Sequence, residues 1–401
     1  MRKRELNRIF AAFLLSSAVL AGCNSAENTA GETEETEREE AAGETEEAQT
    51  EDTEVESAEE VNYAEVFNQA VTELNKAKEG EEVDFAMVTD LYTNNLQALV
   101  QKRDAEFEDQ SDLHITTALE AGSEGTMDPV VVKQIFDKLM QKVFYTTMKH
   151  EFVEINENWG NTELVNEEIQ EAKDFYAILQ STVEKRDAAY GTNMADAING
   201  GFAEMEAAVE ADDNLAFQLG KQVVDKTMMK TFYLASGAVP HGYATKAAAE
   251  AKEDKEHAKV EQAEGWAFYQ SIASYLEKYA NEDAEIIEQQ FNLETDVSEL
   301  DPEAVNKAFI RGFTKIALHE YEESVENWGE DKSVITALEG ALFIDVIADD
   351  LKAMLGEEEY TALTEKAQTY LKAVQSYDKE TADSLMEELD AALQNVIEQA
   401  K

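Results

Sequence analysis

The chain has 401 residues, of which 87 are acidic and 33 basic, giving a formal net charge of −54. That balance argues against a nucleic-acid partner, whose binding rests on neutralising phosphates with Lys and Arg, and against direct contact with an anionic lipid surface. One cysteine leaves no internal disulfide, and no apolar run after the first residues approaches the ~20 that a spanning helix needs.

Residues 1–22 read as a targeting segment. Arg2, Lys3, Arg4 and Arg8 form a basic start, Ile9 to Leu20 an apolar stretch, and Ala21-Gly22 a small-residue exit. Leu20-Ala21-Gly22-Cys23 places the sole cysteine at the cleavage point, and the segment resembles a bacterial lipoprotein signal. The resemblance implies lipidation of Cys23 and a chain held at the extracytoplasmic face of the cell membrane. Residues 23–60 follow as an expected disordered tether. Positions 24–60 carry sixteen acidic residues and one basic residue, with too little apolar surface to offset the entropy of ordering.

Beyond residue 60, apolar residues recur at three-and-four spacing, and only Pro129, Pro240 and Pro302 interrupt. The expected fold is all-α, with two tandem duplicated antiparallel helical bundles over 61–245 and 246–401. Short echoes suggest four related units. Val100-Gln101-Lys102-Arg103-Asp104-Ala105 matches Val183-Glu184-Lys185-Arg186-Asp187-Ala188, and Leu276-Glu277-Lys278-Tyr279-Ala280 sits in the same place of a third unit. Downstream come Asp137-Lys138 with Phe144-Tyr145, Asp225-Lys226 with Phe232-Tyr233, and Asn306-Lys307 with Phe313. Loops are expected near 122–128, 191–201, 237–242 and 293–301.

A longer motif occurs twice: His150-Glu151-Phe152-Val153-Glu154-Ile155-Asn156-Glu157-Asn158-Trp159-Gly160, and His319-Glu320-Tyr321-Glu322-Glu323-Ser324-Val325-Glu326-Asn327-Trp328-Gly329. The chain has five histidines, and two of them share this register. Asp128-Pro129 and Asp301-Pro302 offer a cap with proline at the first helical position, and Asn-Trp-Gly offers a stop. On such helices His150, Glu154 and Glu157, and His319, Glu323 and Glu326, prolong the apolar stripe and are expected to point inward. The same spacing recurs at His257, Glu261 and Glu264, which two helices of one bundle could bring against the His319 set.

Buried carboxylates are costly unless paired, protonated or bound to a cation. Oxygen donors with one or two imidazoles suit iron or another divalent or trivalent cation. The expectation is therefore a non-enzymatic binding lipoprotein that captures a metal, iron favoured, for a membrane transporter. The alternative is that the motif marks structural helix ends in a metal-free surface module that holds a peptide or protein. Nucleophilic catalysis lacks a motif: there is no Gly-x-Ser-x-Gly, no free thiol after lipidation and no phosphate loop, and the zinc-protease His-Glu-x-x-His is absent. The Glu-x-x-His pairs of di-iron bundles are missing too.

His319-Glu320-Tyr321-Glu322 supplies a His-x-x-Glu, with Ala317 two positions upstream, while the first copy has Val153 in place of the glutamate. Through this element and its duplicated helical layout the chain resembles, more weakly, the imelysin-like extracytoplasmic proteins, whose pattern is Gly-x-His-x-x-Glu. That resemblance implies a two-bundle helical fold and a metal-related, non-peptidase role.

Overall fold

The computed structural model describes residues 61–401; the signal 1–22, Cys23 and the tether up to residue 60 lie outside the described residues. Among the described residues every regular element is helical, as the spacing of apolar residues predicts. A first group comprises α1 (Tyr63–Asn75), α2 (Phe85–Leu91), α3 (Gln97–Phe107) and α4 (Ser111–Ser123), with a π turn at Tyr92–Leu96 joining α2 to α3. The long helices α5 (Pro129–Glu157), α6 (Thr162–Tyr190), α7 (Met194–Glu210) and α8 (Asn214–Ser236) follow. After the turn at 237–242 come α9 (Tyr243–Glu250), α10 (Lys255–Tyr269), α11 (Ala273–Phe291), α12 (Pro302–Glu326), α13 (Asp331–Val346), α14 (Ala348–Leu355), α15 (Glu357–Ser376) and α16 (Lys379–Gln399). No described helix is long and apolar enough to cross a membrane.

Sequence-local chemistry starts and stops these helices. The Asp128 carboxylate accepts from the Val130 N–H, and that of Asp301 accepts from Glu303 and Ala304, each ahead of proline at the first position. Gly160 and Gly329 end the two motif helices at φ +101° and +90°, where a Cβ would be strained. Asp104 and Asp187, equivalent in the echoed hexapeptide, play one role: each carboxylate accepts two N–H groups from the start of the following helix, α4 and α7 respectively.

Consecutive helices pack side by side, α5 on α6, α7 on α8, α11 on α12 and α12 on α13. Across them, α10 lies against α5 and α13 against α8. As a result α5 is buried on every side from Val132 to Tyr145, and α8 from Gln222 to Ser236. The predicted loop at 191–201 shrinks to 191–193, because Gly200-Gly201 lies inside α7. There Gly201 and Gly220 face each other, and a Cβ on Gly220 would stand 2.9 Å from the Gly201 carbonyl oxygen.

Candidate functional site

Helices buried on all sides must satisfy their polar side chains from within. On α5, Asp137 accepts from Lys133 at 2.7 Å, Lys138 at 2.9 Å and Gln141 at 2.8 Å. On α8, Asp225 accepts from Lys226 at 2.7 Å and from the Tyr145 hydroxyl at 2.6 Å. The Lys226 ammonium also lies 3.2 Å from Glu339 on α13 and 3.2 Å from the Tyr275 hydroxyl on α11. Burial alone would raise the Asp225 carboxyl, but the ammonium groups of Lys226 and Lys149 hold it well below the ordinary range. Tyr233 donates to Asp350, and Asn306 donates to the Tyr233 oxygen at 3.2 Å. Thus the Asp-Lys and Phe-Tyr echoes of the sequence meet: Tyr145 bonds Asp225, and Tyr233 accepts from Asn306.

The repeated motif lies where the full burial of α5 gives way to an exposed side. Over its last turns α5 buries Phe144, Thr147, Met148, Glu151, Phe152 and Ile155; α12 buries the equivalent Phe313, Ile316, Ala317, Glu320, Tyr321 and Ser324. The inward charged residue of the motif is therefore its second, Glu151 or Glu320, not the histidine or the later glutamates. His150 is half-buried, with Nδ1 3.0 Å from Glu106 on α3 and Nε2 3.9 Å from Glu154; Glu157 is exposed. His319 packs at a tilt on Tyr279 with ring centroids 4.6 Å apart, Glu323 is held by Lys332, and Glu326 is exposed. That ion pair with Lys332 draws the Glu323 carboxyl below its usual value.

The inward pair behaves differently. Glu151 is pushed up to about 8, first by burial, then by Glu171, with Glu168 and Glu154 adding and Arg103 opposing. Arg103 reaches Glu106 through Nη2 at 3.1 Å, while its Nε and Nη1 are buried without a partner. Glu320 is likewise pushed up to about 8, first by burial, then by Glu339, with Lys226 opposing and Glu323 adding. Burial and neighbouring carboxylates thus both favour the protonated form of each carboxyl.

The third set does not join the second. His257 is exposed at the first turn of α10, with Nε2 3.6 Å from Glu261. Burial raises the Glu261 carboxyl, and Glu264 adds to it. Glu264 lies 3.4 Å from Lys138 on α5, so it belongs with the first motif helix and not with His319. Basic residues reach the motifs from just beyond them, as Lys332 does, and from elsewhere in the fold, as Lys138, Lys226 and Arg103 do. Among the described residues no group of three or more His, Cys, Asp or Glu is placed to hold a metal ion. The expected joining of His257, Glu261 and Glu264 to His319, Glu323 and Glu326 is therefore not seen, and His150, Glu154 and Glu157 form no such group either.

Glu151 and Glu320 were identifiable in principle, since the His-Glu pair is identical in both copies. Their burial was not, because the upstream stripe on a fully buried helix does not say which side stays covered later. No family model, no curated protein and no solved structure matches the chain.

Proposed function

We propose that the chain is a lipid-anchored, extracytoplasmic binding module that carries out no chemistry and needs no metal. The anchoring rests on the basic start, the apolar stretch and Leu20-Ala21-Gly22-Cys23. The choice between cation capture and a metal-free module rests on one observation, the fate of the motif's donors. Glu323 and Glu264 are neutralised by the protein's own lysines, Glu157 and Glu326 face solvent, and His319 packs on a tyrosine. A divalent ion would have to displace those lysines and gather donors from separate helices. The acid excess favours a cationic partner, which it would attract and orient over about a Debye length.

The deciding experiment is elemental analysis of protein purified without an affinity tag, paired with thermal unfolding with and without a chelator. The proposal expects no stoichiometric metal and the same Tm in both buffers. One metal per chain, lost together with several degrees of Tm on chelation and on H319A/E323A substitution, would restore capture of iron or a similar cation for a transporter.

A further inference from the structure

The two copies of Asn-Trp-Gly end in different company. In the second copy the Lys379 ammonium, from the start of α16, stands 5.0 Å from the centroid of the Trp328 ring and 2.9 Å from the Asp383 carboxylate. An ammonium group between an indole face and a carboxylate is a favourable arrangement, because the ring quadrupole presents its negative face to the cation. In the first copy Trp159 packs on Phe217, with centroids 5.3 Å apart, and lines a surface pocket of about 310 Å³. The partly buried Val209 supplies apolar wall, and Glu210 and Asp212 supply exposed carboxylates. Among the described residues no lysine or arginine stands over the Trp159 ring, and neither Glu210 nor Asp212 makes an ion pair.

We infer that the Trp159 pocket binds an organic ammonium group, in the way the chain itself seats Lys379 on Trp328. Two carboxylates on the rim give the charge, the indole gives the cation-π face, and Val209 meets alkyl substituents. The volume is at the low end for a ligand pocket, which limits the guest to a small methylated ammonium compound or the tip of a lysine side chain. The site is separate from the His-Glu sets, so it stands or falls independently of whether the chain binds a metal.

Two probes decide it, tetramethylammonium and Nα-acetyl-lysine methylamide, each titrated by calorimetry and by the indole N–H signals of the full chain. Binding of at least one probe is expected, with the Trp159 signal moving. W159A should weaken it about two- to fivefold, the scale of a solvent-exposed cation-π contact. E210Q/D212N should weaken it several-fold, and W328F should leave it unchanged. The exposed E210Q/D212N pair keeps the test alive if W159A fails to fold. Preference for tetramethylammonium assigns a free methylated ammonium ligand, and preference for the lysine amide assigns a side chain of a protein partner. Binding of neither probe, or equal affinity in the parent and E210Q/D212N, overturns the inference.

Discussion

Glu151 and Glu320 are the residues at which the motif affects stability. Each has an ordinary carboxyl value of 4.5 in the unfolded chain and about 8 in the folded one. Between those values the native state keeps a proton that the unfolded state has lost, so stability falls as pH rises from about 4.5 to 8 and then levels off. E151Q and E320Q keep the shape and the neutral form, so each should remove part of that fall. Near pH 4 the variants and the parent should unfold alike; at pH 9 each variant should be more stable by roughly 1–3 kcal/mol. Denaturant midpoints across this range make the measurement, and parallel pH curves for all three proteins would show that the two carboxyls are ordinary. At this scale the caps and stops of the motif helices were legible, because Asp-Pro and Asn-Trp-Gly act on neighbouring residues alone. The direction of each side chain was not, because it depends on which distant helix covers the turn.

At the scale of elements, the helix periods and most connections were legible from apolar spacing, while Asn199-Gly200-Gly201 misled. Adjacent glycines read as a turn, but here Gly201 lets α7 approach α8. A Cβ on Gly220 would meet the Gly201 carbonyl at 2.9 Å and Met205 Cγ at 3.0 Å. Alanine would gain up to about 1 kcal/mol of helix propensity at that site. Backbone cannot yield as a flexible side chain does, so G220A should instead force the helices apart and lose about 1–3 kcal/mol net. Equilibrium unfolding in denaturant checks the sign. A stabilised G220A would mean that the two helices have room to spare, and that the glycine serves neither packing nor a turn.

The sequence predicts two similar halves, 61–245 and 246–401, and the contacts between them decide whether either half can stand alone. Lys138 meets Glu264, Lys226 meets Glu339 and Tyr275, Lys230 meets Asp345 at 2.9 Å, and Asn306 bonds both Tyr233 and the Gly237 carbonyl. Each link joins a residue before position 245 to one after it. Around them Phe232 and Phe268, and Tyr233 with Phe309 and Phe313, pack ring on ring across the same boundary. The hydrophobic core accordingly runs through both halves. Removing residues 246–401 would uncover one side of α8, a helix whose residues from Gln222 to Ser236 are all buried. The exposed strip would mix large apolar side chains with lysines stripped of their carboxylates, and a domain with about 5–15 kcal/mol of total stability cannot absorb that loss. Residues 61–245 expressed alone should therefore keep helical circular dichroism but melt without a cooperative transition and bind a hydrophobic dye. Mixing it with 246–401 in equal amounts should restore a cooperative melt that depends on concentration. If each half alone melts sharply within a few degrees of the whole chain, the buried lysine and tyrosine links across the boundary are incidental and the halves are true domains. If only the mixture does, those links hold one folding unit together, and the repeated motif marks equivalent helices within it.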